Sequence, residues 1–395
     1  MNTLRHEFLA HCAQCSPEPM LIEVERAEGV FLYSPNGKRY LDLVSGVSVS
    51  NVGHSNKQVV AAVQEQAARY MHTMVYGETV QRVQVEYAKL VTSLLGNKLD
   101  SLYFVNSGSE AIEGAIKLAK RATARTEIIS MRGAYHGSSH GALSIQGGEN
   151  YKTAFRPLLP DTRLIEFNNF DDLSLITQRT ACVVFEAVQG EAGVRLASEN
   201  YLASLIERCH AVGALAIIDE VQTGFGRTGE IFAIKKYGLQ PDIVCLAKAL
   251  GGGMPLGAFV ASQALMAKLT FDPVLGHITT FGGNPVCCAA GMAATRYILD
   301  NDLCCHAEQM GALFERELAV HPAVQEIRRS GLLLAVELGG SEKLMRMMGA
   351  MTENGIMSDW FLFCDTSFRI SPPLVISAVE VCAASVLLRR LLDTL

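Results

Sequence analysis

Seven short apolar runs, spaced along the first part of the chain, are the feature that most constrains its fold. Each run has the length and composition of a buried strand, and helical stretches separate consecutive runs. The runs lie near Leu102, Ile128, Leu164, Val183, Ala216, Val244 and Ala258. Strands that alternate with helices are typical of a parallel sheet with helices on its faces. The sequence therefore predicts an α/β fold with a mostly parallel seven-stranded sheet.

The chain after residue 285 has a different pattern. Two helices are predicted over Cys288–Leu299 and Leu303–Val320, followed by a strand over Gly331–Leu338. No low-complexity linker or internal repeat separates these elements from the preceding ones. We therefore expect three directly joined regions: an N-terminal arm with short strands (1–50), a large domain (51–285) and a smaller C-terminal α/β domain (286–395).

Several of the predicted strands lead into polar side chains. Asp219 and Glu186 end two of the apolar runs, and Lys248 follows a third. A fourth run leads into the serine-glycine turn of Asn106–Glu110. Because the carboxyl ends of parallel strands face the ligand crevice of an open sheet, these groups are expected to lie together. A single strand-end carboxylate is more often a turn or helix cap, but this combination favours a binding site.

Lys248 lies between an apolar run and the glycine run Gly251–Gly253. Glycines let the backbone approach a ligand closely, and burial of the amine would lower its pKa and prepare it to form a Schiff base with an aldehyde. Taken alone, such a lysine is more often a solvated residue on a loop, and the residues upstream of it favour a nucleophile. A buried carboxylate such as Asp219 would keep a pyridine nitrogen protonated. Lysine and carboxylate together are what pyridoxal 5′-phosphate requires, so the sequence predicts this cofactor.

The turn after the run near Leu102 is suited to phosphate. Ser107 and Glu110 have the spacing of a capping box, and Ala111, Ile112 and Ala115 continue as a helical apolar stripe. A strand, a tight turn and a helix N-terminus direct free N–H groups and the positive end of the helix dipole toward an anion. Such a turn is common in α/β proteins, and its combination with Lys248 makes it specific.

Six motifs, in this order along the chain, resemble the class III aminotransferases, a family that includes ornithine, acetylornithine and 4-aminobutyrate aminotransferases. The motifs are Phe104–Glu113, Ala134–Gly137, Glu186–Gly193, Ile217–Gly229, Lys248–Gly253 and Thr279–Pro285. The match begins near Gly37 and extends to Ile376. The resemblance implies the fold-type I architecture of pyridoxal-phosphate-dependent transferases, pyridoxal 5′-phosphate as the cofactor, and a homodimer with shared active sites.

The resemblance implies phosphate and ring contacts at particular positions. The turn of Ser107, Gly108 and Ser109 would bind the phosphate, with the backbone of the last two residues in contact with it. Thr280 would reach the phosphate from the neighbouring subunit. Tyr135 resembles the aromatic residue that stacks on the pyridine ring.

Further residues would surround the ring. Val221 resembles the apolar residue on its other face, Gln222 resembles the residue that hydrogen-bonds its phenolic oxygen, and Glu186 lies near the same group in relatives. Without the motifs, Tyr135 would be interpreted as a core aromatic residue, and Gln222 and Glu186 as surface polar residues. His136, next to Tyr135, is expected only to support that tyrosine.

Arg369 and Glu191 are candidates for substrate binding. Arg369 resembles the arginine that holds a substrate carboxylate through two parallel hydrogen bonds, and Glu191 resembles its partner. In ornithine-type relatives this pair acts as a gate. The glutamate neutralises the arginine while the distal amine of the donor reacts, and it moves away when an oxo acid needs the arginine. An ordinary surface salt bridge is the alternative interpretation.

Two departures from the family pattern bear on the substrate. Ser138 stands where relatives usually carry a second carboxylate-binding arginine, which weakens the case for dicarboxylates. Val47 stands where the ornithine enzymes carry a tyrosine, so this position is closer to the acetylornithine and 4-aminobutyrate branches.

The predicted function is transfer of an amino group from an ornithine- or acetylornithine-like ω-amino donor to a 2-oxo acid, with 2-oxoglutarate ranked first as acceptor. Three alternatives stay open. The first is a 4-aminobutyrate or other ω-amino acid aminotransferase that uses pyruvate or 2-oxoglutarate. The second is an amino-acid racemase or epimerase with the same cofactor, and the third is a cofactor-free binding protein with the same fold.

Composition limits the other classes of function. A net charge of −6 without a basic cluster gives no electrostatic reason to bind nucleic acid. No apolar run approaches the roughly 18 residues that span a bilayer, and the N-terminus lacks a signal-peptide pattern, so a cytoplasmic location is expected. Cys12 and Cys15 form a single pair, whereas a zinc site wants four ligands, so no metal is expected.

Overall fold

A seven-stranded sheet forms the centre of the protein in its computed structural model, which describes residues 3–75, 77–96 and 98–395. Together with the strands of the smaller sheets, the described part of the chain contains β1 (Arg26–Glu28), β2 (Phe31–Tyr33), β3 (Arg39–Asp42), β4 (Ser101–Val105), β5 (Glu127–Met131), β6 (Thr162–Ile165), β7 (Thr180–Glu186), β8 (Val188–Gln189), β9 (Arg195–Leu196), β10 (Leu215–Asp219), β11 (Ile243–Leu246), β12 (Gly257–Ala261), β13 (Glu326–Ser330), β14 (Leu333–Glu337), β15 (Ile356–Met357), β16 (Trp360–Phe361) and β17 (Cys364–Ile370).

Helices cover both faces of this sheet and form most of the C-terminal region. They are α1 (Leu4–His11), α2 (Ser45–Ser48), α3 (Lys57–Arg69), α4 (Arg82–Leu95), α5 (Gly108–Thr123), α6 (His140–Ser144), α7 (Tyr201–Val212), α8 (Ala233–Lys236), α9 (Gln263–Met266), α10 (Pro285–Asp300), α11 (Leu303–Leu318), α12 (Ser341–Glu353) and α13 (Ala378–Leu392).

The central sheet has the strand order β4-β12-β11-β10-β7-β5-β6. Only β12 runs antiparallel to its neighbours, and the other pairings are parallel. Every residue of β5, β7, β11 and β12 is buried, as expected for a sheet covered on both faces. The predicted α/β fold with a mostly parallel seven-stranded sheet is confirmed, and each of the seven apolar runs forms one of its strands.

Helix α5 begins at the carboxyl end of β4 and packs along the sheet. The Ser107 hydroxyl accepts a hydrogen bond from the Glu110 N–H at 3.2 Å and caps the helix. The buried stripe includes Ala111, Ile112 and Ala115, as the apolar spacing predicts. This packing fixes the direction of the first helical turn relative to the strand ends.

A second, antiparallel sheet lies in the C-terminal region, with the order β13-β14-β17-β16. The helix predicted from Cys288 begins earlier, at Pro285, because the Asn284 side chain accepts hydrogen bonds from the N–H groups of Val286 and Cys287. Strand β17 ends at Ile370, so Arg369 is its second-last residue. The Arg369 side chain reaches Glu191, which lies in the loop region after β7 of the central sheet.

The N-terminal strands are joined to the C-terminal region. Strands β1, β2 and β3 form a four-stranded sheet with β15, and β3 pairs with β15 in parallel. The Ser371 N–H also donates to the Leu43 carbonyl at 2.7 Å. The domain boundaries at residues 50 and 285 stay predictions. Among the described residues, no helix is both long and apolar enough to cross a membrane.

Replacement of Gly257 by alanine should destabilise the fold next to the β4–α5 turn. A Cβ at this position would lie 2.3 Å from the Ser107 carbonyl oxygen, so backbone has to move. We expect Gly257→Ala to lower the free energy of unfolding by about 1–3 kcal/mol. Denaturant unfolding followed by circular dichroism measures the change.

Gly349→Ala is the matched control. Gly349 lies in α12 with no heavy atom within 4 Å of a built Cβ, so alanine there should leave stability unchanged or raise it by up to about 1 kcal/mol. Equal stability of the two variants would contradict the packing argument.

Candidate active site

A cavity of about 480 Å³ opens where the carboxyl ends of β4, β7, β10 and β11 meet. Most of the residues predicted from the sequence line it. They are Ser107, Gly108, Ser109, Tyr135, Glu186, Glu191, Asp219, Val221, Gln222 and Lys248. The remaining four predicted residues, Val47, Ser138, Thr280 and Arg369, lie outside this lining.

Lys248 lies two residues beyond the end of β11, at the start of a short 3-10 helix. Its backbone has φ +51°, a conformation that non-glycine residues rarely adopt. Burial lowers the pKa of the Lys248 amine, and the positive charge of Arg369 acts in the same direction, against the charges of Glu191, Asp219 and Glu186. A lowered pKa leaves a larger fraction of the amine neutral, which is the form that attacks an aldehyde.

Asp219 is held by two hydrogen bonds at the end of β10. Its Oδ1 accepts from the Val221 N–H at 2.9 Å, and its Oδ2 lies 2.8 Å from Nδ1 of the buried His136. A proton on Nδ1 would make this contact a hydrogen bond that the carboxylate oxygen accepts. The structure thus places His136 in direct contact with Asp219. The sequence had indicated only that His136 supports Tyr135.

Glu186 is the register partner of Asp219 on the neighbouring strand β7. Burial raises the pKa of the Glu186 carboxyl group well above its usual value, and the negative charge of Asp219 adds to this effect. Hydrogen bonds from the N–H groups of Tyr135 and Gly190, both at 3.3 Å, act in the opposite direction. Glu186 is thereby held toward its protonated form, which can donate a hydrogen bond to an oxygen in the cavity.

The first turn of α5 forms one wall of the cavity. The N–H groups at the start of a helix have no partner within the helix, and Gly108 and Ser109 occupy these positions. A Cβ on Gly108 would lie 3.0 Å from Val221, so the glycine lets the turn rest directly on that side chain. The Ser109 hydroxyl accepts a hydrogen bond from the Ser138 N–H at 3.2 Å.

Two buried donors or acceptors in the cavity have no protein partner among the described residues. They are Nε2 of His136 and Nε2 of Gln222. Burial of an unpaired polar atom is costly, so such atoms mark positions where a ligand completes the hydrogen bonding. With the helix N-terminus, Lys248 and Asp219, this set fits a planar cofactor that carries a phosphate, an aldehyde and a ring nitrogen.

Arg369 and Glu191 form a buried ion pair beside the cavity. Nη2 of Arg369 lies 2.7 Å from Oε1 of Glu191, and the arginine is 1% exposed. Oε2 of Glu191 accepts from the Leu362 N–H at 3.2 Å. Nη1 of Arg369 has no hydrogen-bond partner within the described part of the chain. The structure brings together the two residues that the sequence paired, and burial contradicts the surface-salt-bridge interpretation.

Asp359 is a contact of Arg369 that the sequence did not indicate. Its Oδ1 lies 3.0 Å from Nε of the arginine. Burial raises the pKa of Asp359 to about 6, and the charge of Arg369 opposes this shift. Asp359 follows β15 in a segment without a periodic pattern or motif, and the sequence carries no signal for it.

Three of the other predicted residues, Ser138, Val47 and Thr280, do not line the cavity. Ser138 is exposed and its hydroxyl lies 3.0 Å from that of Tyr135. Val47 belongs to the single turn α2, in which Ser45, Val47 and Ser48 all have positive φ. Backbone strain of this kind concentrates at functional sites. Thr280 is exposed on the surface of its own subunit, as expected if it serves a neighbouring one.

Comparisons with known proteins agree with this chemistry. The family described as "Aminotransferase class-III" matches residues 13–392. The chain therefore belongs to the class III aminotransferases and is a pyridoxal-phosphate-dependent enzyme. The predictions of the family, the enzyme class and the cofactor are confirmed.

Individual relatives match almost end to end. An acetylornithine aminotransferase from Archaeoglobus fulgidus is 37% identical over 91% of this chain and 92% of its own length. The structure of the ornithine aminotransferase from Toxoplasma gondii superposes with a TM-score of 0.90 at 29% identity, covering 99% of this chain and 95% of that one. An (S)-enantioselective ω-transaminase from Thermomicrobium roseum superposes equally well, with a TM-score of 0.90 at 29% identity over 99% and 98%.

Asp219→Asn should impair catalysis without loss of the fold. The amide keeps the size of the side chain but removes the charge that faces His136 and the cavity. We expect kcat to fall by about 100-fold or more, the range seen when one preorganised electrostatic contact is removed. Steady-state kinetics and the absorbance of the bound cofactor measure the effect.

Asp242→Asn is the control, because Asp242 also contacts a histidine, His210 at 3.1 Å, and also accepts a backbone N–H, from Ala216. It lies outside the cavity lining and should leave kcat within about twofold. Retention of more than half of the wild-type kcat by Asp219→Asn would refute the assigned role.

Proposed function

We propose that the enzyme transfers the amino group of an ω-amino donor, of the ornithine or acetylornithine type, to a 2-oxo acid, with 2-oxoglutarate ranked first. The observation that carries this proposal is the buried Glu191–Arg369 pair beside Lys248. The relatives support it, since one is an acetylornithine aminotransferase and another an ornithine aminotransferase.

We assign the cofactor contacts from the geometry of the cavity. The N–H groups of Gly108 and Ser109 would hold the phosphate, and the Ser107 cap keeps this turn in place. Thr280 would complete the phosphate site of the neighbouring subunit. When bound, pyridoxal phosphate supplies an electron sink that stabilises negative charge on the substrate carbon.

Four residues would surround the cofactor ring. Tyr135 and Val221 would cover its two faces, and Gln222, with its unpartnered Nε2, would donate to the phenolic oxygen. Glu186, held toward its protonated form, lies in reach of the same region. Asp219 would face the ring nitrogen and keep it protonated.

Lys248 is the proposed proton carrier. A lysine with a lowered pKa accepts a proton from the substrate carbon at neutral pH more readily than a solvated lysine does. The charges of Glu191 and Asp219 would stabilise its ammonium form after the transfer. The same amine would then return the proton at the cofactor side, which makes one residue the base and the acid of each half-reaction.

Arg369 and Glu191 would allow one site to accept two different substrates. While the donor's distal amine reacts, Glu191 keeps Arg369 neutralised through the 2.7 Å contact. The carboxylate of a 2-oxo acid would later replace Glu191 and use the free Nη1 as well.

Ser138 favours a second candidate, in which pyruvate serves as acceptor and the donor is 4-aminobutyrate or another ω-amino acid. Among the described residues that line the cavity, Lys248 is the only lysine or arginine. A second substrate carboxylate therefore has no cationic partner in this lining. Pyruvate, which has a single carboxylate, would need only Arg369. Val47 leaves room for either donor type.

We also propose that the enzyme is a homodimer. An apolar surface lies around Thr280, and we name it the 71–80/271–281 surface. Its exposed members are Met71, Met74, Val80, Phe271, Val274, Leu275, Ile278 and Phe281. The two segments touch, since the rings of His72 and Phe281 lie 5.0 Å apart. A second copy of the chain would cover this surface and bring its Thr280 to the first copy's phosphate site. A cytoplasmic location likewise stays a proposal.

Separate half-reactions test the proposed function. With N-acetylornithine, ornithine or 4-aminobutyrate alone, the bound cofactor should convert to its amine form, with one equivalent of product per subunit. Addition of 2-oxoglutarate or pyruvate should restore the original absorbance. Racemisation of the donor without this conversion would establish the racemase alternative, and no reaction with any donor would refute the proposal.

The dimer is tested by Val274→Asp. Val274 is 72% exposed within the 71–80/271–281 surface, and burial of an aspartate there against a second copy is unfavourable. We expect the variant to sediment as a monomer and to lose activity. Val320, also 72% exposed but located after α11, provides the control Val320→Asp, which should stay dimeric. A dimeric Val274→Asp would contradict the assigned interface.

A further inference from the structure

The segment Ser358–Phe363, between β15 and β17, contacts both members of the Glu191–Arg369 pair. Oδ1 of Asp359 lies 3.0 Å from Nε of Arg369, and the Trp360 carbonyl accepts from Nη2 at 3.4 Å. On the other side, the Leu362 N–H donates to the Glu191 carboxylate at 3.2 Å. One short segment thus surrounds the pair whose opening the proposed reaction requires.

The backbone of Asp359 is held beside that of Arg369. Its backbone carbonyl accepts a hydrogen bond from the Arg369 N–H at 2.9 Å, which fixes the two residues side by side. The Nε and Oδ1 atoms are close, yet neither makes an aligned hydrogen bond. The interaction is therefore mainly electrostatic: Asp359 contributes a fixed negative charge next to the guanidinium group.

The charge around Arg369 changes when an oxo acid binds. In the closed arrangement, the carboxylates of Glu191 and Asp359 surround one guanidinium, with a net charge of −1. An incoming carboxylate would replace Glu191 at the guanidinium. The Glu191 carboxylate could withdraw only within the reach of its side chain, because its backbone carbonyl accepts a hydrogen bond from the Phe363 N–H at 2.9 Å. Three carboxylates would then lie around one arginine. The fixed charge of Asp359 raises the energy of this second arrangement more than that of the first.

We propose that Asp359 is a positioning residue that weakens the hold of Arg369 on the carboxylate of the oxo acid, so that Glu191 regains the arginine after each turnover. This inference rests on the proposed aminotransferase function and adds a residue that controls its substrate exchange. It makes Asp359 a determinant of the balance between the two half-reactions.

The pH dependence gives an independent signature. Burial raises the pKa of Asp359 to about 6; the positive charges of Arg369 and Lys248 oppose the rise, and the negative charges of Glu191 and Asp42 add to it. Asp359 is therefore ionised above pH 6 and becomes neutral as the pH falls through this value. Affinity for the oxo acid should increase over the same interval.

Asp359→Asn tests the proposal when the two half-reactions are measured separately by stopped-flow absorbance. In Asp359→Asn, the KM for the acceptor that the wild-type enzyme uses, 2-oxoglutarate or pyruvate, should fall by about threefold to tenfold. The rate of the donor half-reaction should change by less than about twofold. Asp359→Glu should restore the wild-type KM. The increase in oxo-acid affinity between pH 7.5 and 5.5, roughly centred on the pKa above, should disappear in Asp359→Asn.

Asp365→Asn is the matched control, because Asp365 is an exposed aspartate on the same strand as Arg369. It should leave both half-reactions unchanged. An equal change of both half-reactions in Asp359→Asn, a raised acceptor KM, or an unaltered pH dependence would each overturn the inference while the proposed function stands. If the wild-type enzyme transfers no amino group, both the proposed function and the inference about Asp359 are wrong.

Discussion

The burial of several ionisable groups around one lysine is the constraint on which the site depends. Parallel pairing of β7 with β10 places Glu186 directly beside Asp219, and β11 brings Lys248 to the same edge. Two neighbouring carboxyl groups at low solvent exposure cannot both be ionised without partners. His136 and the Val221 N–H provide partners for Asp219, and Glu186 is displaced toward its neutral form. The chemistry of the cavity is in this sense a consequence of sheet register.

Much of this arrangement could be predicted from the sequence because it depends on local and periodic signals. Each of the seven apolar runs formed a central strand, and the polar groups at strand ends had to meet once the sheet was mostly parallel. The spacing of Ser107 and Glu110 likewise indicated where α5 begins, since the Ser107 hydroxyl accepts a hydrogen bond from the Glu110 N–H. These features involve residues close in the chain, or strands whose direction the alternation with helices determines.

The contacts that escaped prediction join residues without any regular spacing. His136 meets Asp219 only through the loop after β5, and Asp359 meets Arg369 through the antiparallel arrangement of β16 and β17. The positive φ values of Ser45, Val47 and Ser48 follow from contacts made far along the chain, such as that of the Ser45 hydroxyl with the Ser371 carbonyl at 2.7 Å. Contacts between residues far apart in the chain do not appear in the hydrophobic periodicity of the sequence.

The parallel pairing of β3 with β15 has a consequence for biosynthesis. Ribosomes add about 5–20 residues per second, so the strand Arg39–Asp42 emerges roughly 15–60 s before Ile356–Met357 exists to pair with it. During that interval one edge of the N-terminal hairpin is open to other extended segments. The nascent polypeptide therefore has to stay unassociated until Ile356–Met357 has been made, because only then can the strand Arg39–Asp42 gain its parallel partner.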